Sequence, residues 1–149
     1  IPTGGIVDGR SLAAALSLGA EGVLMATRFI ATKECQVHPR IWEELIKREE
    51  HETTLICKSV GLQGRALKND LTRQILDMEA KGAKIEDLIP LLAGQRSLDA
   101  WQTGDVENAP LMVGQSIGLV KEVTTCAELI QSMVNDSQAI LERNLARFN

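Results

Sequence analysis

The first thirty residues restrict this chain more than any other stretch. They open on Ile1-Pro2-Thr3, turn on Gly4-Gly5, and pass through an alanine-rich segment in which Leu12 and Leu16 flank Ala13 to Ala15. Gly19 then stops the segment before the short apolar run Val23-Leu24-Met25, which ends at Ala26-Thr27. The apolar spacing in the middle is helical, and a glycine just past it is a common helix stop. The outer pieces read as the tip of one strand and a short buried second strand. A strand–helix–strand unit places the chain in the α/β class.

Both strand ends carry small residues, and that has a chemical use. Without bulky side chains, backbone N–H groups can approach a ligand oxygen directly, and phosphate is the natural guest. In (β/α)8 barrels the usual phosphate site is built from the loops after the seventh and eighth strands and the N-terminus of a short helix. Thr27-Arg28-Phe29-Ile30 is placed to start such a helix, whose first N–H groups favour an anion. On spacing alone, a glycine pair serves a plain strand-to-helix turn equally well.

The string Gly4-Gly5-Ile6-Val7-Asp8-Gly9-Arg10, the stretch from Leu12 to Val23, and Ala26-Thr27-Arg28-Phe29 through Cys35 together resemble the nitronate monooxygenases, also called 2-nitropropane dioxygenases. The similarity continues through Gly64 to Asn69 and Gly114 to Val120, and so covers nearly the whole chain. Flavin-dependent enoyl-[acyl-carrier-protein] reductases share the same segments. The resemblance implies an FMN-dependent TIM (β/α)8 barrel enzyme, of which this chain is the C-terminal portion, with a small mainly helical inserted domain. Residues 1–35 are then the last barrel strands with the FMN phosphate motif, 36–108 the insertion, and 109–149 the return to the barrel with a C-terminal helix. The cofactor-binding residues carried over are Gly4, Gly5, Met25, Ala26 and Thr27. Ala26 stands where the family usually has glycine; its methyl is harmless at negative φ and would crowd the phosphate at positive φ.

The family's catalytic histidine lies upstream of the glycine pair, so the resemblance assigns no catalytic residue here, and neither His38 nor His51 matches it. The chain lacks an initiator methionine and begins inside a strand–turn motif, whereas a barrel of this kind needs about 250 residues. The expectation is a C-terminal part of a longer enzyme, with strand edges left open.

Composition narrows the rest. Sixteen basic and twenty acidic residues give a formal charge of -4, with two Trp, two Phe and no Tyr. Few stacking platforms and no basic run argue against nucleic acid, and no apolar stretch approaches the roughly 18 residues of a membrane span. Cys35, Cys57 and Cys126 are odd in number and widely spaced, which fits a reduced, cytoplasmic setting rather than disulfides or a metal site.

Further along, Pro39 opens an amphipathic helix with Ile41, Trp42, Leu45 and Ile46 on one face and the charge pairs Glu43/Lys47 and Glu44/Arg48 on the other. His38 and His51 flank it as solvent or capping residues. Thr53 to Cys57 reads as a strand or an extended connection, and Asn69 caps a helix carrying Leu71, Ile75 and Met78 that closes at Gly82. Ile85 to Leu92 is a short helical pattern that Pro90 disturbs, and Ser97 to Trp101 a further turn before Gly104. Arg65, Lys68 and Arg73 are candidates for contact with cofactor or an anionic substrate. Gly114 and Gly118 allow a helix to approach the barrel closely, and the resemblance turns Gln115 toward the flavin face. Thr125 and Glu128 have capping-box spacing at the start of a final helix with Ile130, Met133, Ser137, Leu141, Leu145 and Phe148 on one side. That helix is expected to form barrel wall or the contact of a homodimer.

The function implied is oxidation of alkyl nitronates by oxygen to carbonyl compounds and nitrite. The alternatives are an FMN-dependent enoyl-thioester reductase and a non-catalytic fragment.

Overall fold

The computed structural model describes residues 1–148. The chain is organised as a helix pair at one end and a helix-covered hairpin at the other, joined through the turn that follows Ala26. Helix α1 (Gly9–Ser17) begins because the Asp8 carboxylate accepts the Arg10 and Ser11 N–H groups, while the Ser11 hydroxyl accepts that of Asp8. It ends at Gly19, whose φ of 88° is the left-handed stop the sequence indicated.

The two flanking strands are shorter than expected. Thr3 and Leu24 form a single parallel bridge, closed by the Leu24 N–H on the Pro2 carbonyl at 3.0 Å. Val23 to Met25 is therefore one bridged residue rather than a strand. Each tip has only the other beside it among the described residues, and a ladder of one rung does not extend. Helix α2 (Thr27–Ile30) follows, and a second parallel bridge, Thr32 to Thr124, brings the far end of the chain alongside.

Helix α3 (Pro39–Lys47) is capped by His38, whose Nδ1 accepts the Arg40 N–H at 3.2 Å. Ile41 and Leu45 are buried as the periodicity required. On the opposite face Arg48 bridges Glu44 and Glu52, both at 2.9 Å, and Lys47 reaches Glu44 instead of Glu43. Glu44 attracts both cations, so the expected Glu43/Lys47 pair does not form.

Thr53 to Ile56 is the strand β1, and its partner β2 (Gly64–Leu67) pairs with it antiparallel, Thr53 opposite Leu67. The second strand was not apparent in the sequence, because Gly64 and Arg65 dilute its apolar signal. Asn69 then caps helix α4 (Asp70–Ala80) by accepting the Thr72 N–H at 2.9 Å. Its amide also donates to the Val106 and Ala109 carbonyls, both at 2.7 Å, which fixes a distant loop to this corner.

Helix α5 (Ile85–Leu92) runs straight past Pro90. The proline forfeits one bond to Glu86, a cost confined to a helix of two turns. The break falls at Ala93, and the expected single turn near Ser97 is a full helix α6 (Gly94–Thr103), closed by left-handed Gly104. The core has three parts. Ile41, Leu45, Leu67, Ala100, Leu111 and Ile117 form one, Ile56, Leu71, Ile75 and Leu88 another, and Val7, Ala31 and Val120 a small third.

Helix α7 (Cys126–Leu145) starts on the predicted Thr125/Glu128 capping box. Its buried face is Leu129, Met133 and Ser137. Ile130, Leu145 and Phe148, assigned to that face from the sequence, are instead 51%, 65% and 88% exposed. The register is set by Gly9 of α1, which lies so close that a Cβ there would fall on Asp136 and sit 2.9 Å from the Ser137 backbone nitrogen. The small pair Gly9 and Ser137 is where the two helices meet. Gly118 also serves a close approach, but between the short 3-10 turns Gln115–Leu119 and Glu50–Glu52 rather than of helix to barrel.

No helix among the described residues is long and apolar enough to cross a membrane. Cys35, Cys57 and Cys126 are free, and no three His, Cys, Asp or Glu side chains gather as a metal would need among those residues.

Candidate functional site

The bridge between Thr3 and Leu24 sets the two strand tips side by side, so the turns that follow them face one concavity of about 270 Å³. Gly4 and Gly5 line it from the first turn, and Met25, Ala26 and Thr27 from the second. All five residues picked out in the sequence are thus brought together. Their placement follows from local backbone geometry.

Gly4 and Gly5 have φ of 81° and 75°, and the space where a side chain would stand on either is open to 4 Å. Glycine is needed here for the left-handed backbone, not for room. Ala26 has a negative φ of −128°, so its methyl does not meet the left-handed penalty that would call for glycine. Its carbonyl accepts the N–H groups of Phe29 at 2.9 Å and Ile30 at 3.3 Å. The two N–H groups before them, on Thr27 and Arg28, have no acceptor within the turn.

Thr27 is buried, and its hydroxyl accepts the Gly114 N–H at 3.0 Å. That bond brings the third wall into place. Leu111 to Val113 lies against β2, with the Leu67 N–H on the Leu111 carbonyl at 2.9 Å and Met112 bridged to Ala66. Alternation along this piece buries Leu111 and Val113 and turns Met112 outward. Gly64 accommodates it, since a Cβ there would crowd the Met112 methyl.

Of the three basic candidates, Arg65 lines the concavity; Lys68 and Arg73 do not. Arg65 is steadied by donating to the Thr53 hydroxyl at 3.0 Å, and Arg73 is engaged by Asp70. Gln115 is exposed and also lies off the wall, whereas its neighbours Gly114 and Ser116 are on it. Met112 and Ser116 were missed; the alternating Leu-Met-Val run was the available signal. His38 and His51 are both away from the cavity.

Arg28 has a different task. Its guanidinium is 6% exposed and donates to the Ala31 and Glu122 carbonyls at 3.1 and 3.2 Å. Burial pushes its pKa down, only partly opposed by Glu122. It pins α2 to the segment before α7. Beyond it lies a larger concavity of about 390 Å³, whose walls mix Asp8, Glu122 and Glu128 with Lys121 and Arg28. None of the small strand-end residues reaches that space.

The glycine-pair cavity therefore offers backbone donors, one cation and the three hydroxyls of Thr3, Thr27 and Ser116. No side chain lining it exchanges a proton near neutral pH. Backbone donors and a cation in one concavity are groups that suit contact with an anion.

Comparison with known proteins gives a consistent picture. A family model described as nitronate monooxygenase matches residues 1–136. A (3aS,4S,5R,7aS)-5-hydroxy-7a-methyl-1-oxo-octahydro-1H-indene-4-carboxyl-CoA dehydrogenase of Rhodococcus jostii is 30% identical over 92% of this chain and 49% of its own length. A nitronate monooxygenase of Metarhizium robertsii is 30% identical over 95% of this chain and 42% of its own. Among solved structures, FabK from Thermotoga maritima superposes with a TM-score of 0.89 at 34% identity, over 97% of this chain and 46% of that one. The chain thus spans less than half the length of the relatives it matches.

Proposed function

The chain belongs to the nitronate monooxygenase family, and on that premise we propose that it supplies the FMN phosphate anchor of a flavin-dependent oxidoreductase that converts alkyl nitronates and oxygen to carbonyl compounds and nitrite. Residues 1–35 and 109–149 are, in this reading, the closing part of a (β/α)8 barrel, and 36–108 an insertion beside the cofactor.

The observation that carries the proposal is the convergence of Gly4, Gly5, Met25, Ala26 and Thr27 on one cavity. The residues present fit a phosphate. Left-handed Gly4 and Gly5 leave their faces open, the first N–H groups of α2 lack acceptors within the turn, and Arg65 adds a positive charge. FMN bound there would take electrons from the substrate and pass them to oxygen. The chain's own residues hold the phosphate end, and Thr27 keeps the Gly114 wall against it.

A second reading, an enoyl-thioester reductase, is favoured by the close superposition on FabK. Anaerobic stopped-flow spectroscopy on the FMN-loaded full-length protein separates the two. Flavin bleaching by propyl nitronate, with none by NADH or NADPH, supports the monooxygenase. Rapid bleaching by a reduced nicotinamide together with enoyl-thioester turnover supports the reductase. A full-length protein that carries no flavin and cannot be reloaded with FMN contradicts both.

A further inference from the structure

Two of the three free cysteines meet at one joint of the fold. The parallel bridge between Thr32 and Thr124, closed by the Lys33 N–H on the Thr124 carbonyl at 2.9 Å, lays the turn after α2 beside the start of α7. Backbones paired in this way stand about 4.8 Å apart. Both cysteines then close on the same residue. The Cys35 N–H donates to the Thr32 carbonyl at 3.1 Å, and the Cys126 thiol donates to the Thr32 hydroxyl at 3.5 Å. Glu34, the neighbour of Cys35, takes the Cys126 N–H on its carboxylate at 2.9 and 3.0 Å. Both cysteines are half-buried and within reach of a small oxidant, whereas Cys57 is 1% exposed. Burial pushes the Cys35 pKa up and the charge of Cys126 adds to the rise, an influence that weakens with separation.

We propose that Cys35 and Cys126 form a reversible disulfide on exposure to hydrogen peroxide, a redox clasp joining the two stems between which residues 36–125 are strung. A disulfide needs its Cα atoms within about 7 Å, and the contacts of residues 32–34 with 124–126 supply that approach. Strands β1 and β2 and helices α3 to α6 all lie between the two cysteines. The bond therefore closes a long loop and restricts the unfolded chain. Cys126 reacts first, as a thiolate attacking one peroxide oxygen. The O–O bond breaks, the sulfur becomes a sulfenic acid, and the departing hydroxide takes up the proton the thiol had shed. The Cys35 sulfur then displaces the sulfenic oxygen, which leaves as water with the Cys35 proton. Two thiols are oxidised and one peroxide is reduced to two waters. Cys35 is the second to act because burial holds it protonated. A reducing thiol reopens the bond by exchange, so the free cysteines of a reducing compartment are its resting state.

The test takes the full-length protein, reduces it, exposes it to hydrogen peroxide, and maps its peptides after alkylation. The expected product is a cross-linked pair of peptides containing Cys35 and Cys126, lighter than their sum by two hydrogens and separated again by dithiothreitol. Cys57 should remain open to alkylation once the chain is unfolded. In Cys35→Ser the cross-link should be lost and Cys126 should accumulate as a sulfenic acid that dimedone captures. Urea unfolding gives a second reading. Oxidation should lower the unfolding equilibrium constant of the wild-type protein about a hundredfold, with no such gain in Cys35→Ser or Cys126→Ser. Separate oxidation of the two sulfurs without a cross-link, a bond from either to a different cysteine, or no reaction at either sulfur overturns the clasp. So does a stability gain on oxidation that survives in Cys35→Ser.

Discussion

The Thr27 hydroxyl accepts the Gly114 N–H at 3.0 Å, joining residues 87 positions apart in the chain. It is the direct link between the turn after the second strand tip and the segment that closes the cavity. Thr27→Val keeps the shape and removes the acceptor, leaving a partly buried N–H unpaired. The expected loss of stability is about 1–3 kcal/mol, with weaker FMN binding because the Gly114 wall is released. Thr27→Ser should restore most of both. Urea unfolding and flavin titration of the three proteins check this.

Gly5 is predicted to tolerate substitution in the order Asn, then Ala. The space beside it is open, so no clash enters. The cost is the left-handed backbone at φ of 75°, about 1–2 kcal/mol for an ordinary L-residue and less for asparagine. Denaturant midpoints for Gly5→Asn and Gly5→Ala should separate in that order, and equal values would refute the backbone account.

Gly9, the first residue of α1, and Gly22, outside any helix or strand, contrast a crowded position with an open one. Replacing a helical glycine by alanine ordinarily gains up to about 1 kcal/mol. At Gly9 the added methyl meets Asp136 and the Ser137 backbone, and overpacking of about 1–3 kcal/mol should win. Gly22 has open space and no left-handed φ, so Gly22→Ala should be neutral. Thermal unfolding of the two variants is the check, with a lowered Tm expected for Gly9→Ala alone.

Much of this was readable from the sequence, for reasons that differ by element. The caps at Asn69 and Thr125 are local, since each side chain bonds a backbone group three residues on, and they were found. The Gly4-Gly5 turn was located because two left-handed residues in a row demand glycine. The β2 strand was hidden because half of its signal is its pairing with β1, a contact that periodicity does not contain. The buried face of α7 was misjudged for a similar reason. The apolar count favoured Ile130, but the closest approach is dictated by Gly9 on another helix. The resemblance turned Gln115 toward the flavin face, and it is its neighbours Gly114 and Ser116 that line the glycine-pair cavity.

Acid should loosen the start of α7. The Glu128 carboxylate accepts the Thr125 N–H and the Thr125 and Thr124 hydroxyls, which lowers its pKa from 4.5 to about 2. The stabilisation is whole above the ordinary value and disappears as pH falls from about 4.5 to about 2. Amide hydrogen exchange in the first turn of α7 should accelerate across that window. In Glu128→Gln, whose amide oxygen can still accept the Thr125 N–H but carries no titratable charge, that step should be absent.

The central claim is that the two strand-end turns grip a phosphate, and comparing FMN with riboflavin tests it most directly. In the full-length protein FMN should bind roughly a hundredfold more tightly than riboflavin, the value of two charge-assisted hydrogen bonds at the low end. Gly5→Asp keeps a residue tolerant of the left-handed backbone but sets a carboxylate in the cavity, and should erase that preference while leaving riboflavin affinity near its wild-type value. Equal affinity for the two flavins in the wild-type protein, or an FMN preference untouched by Gly5→Asp, would contradict the account.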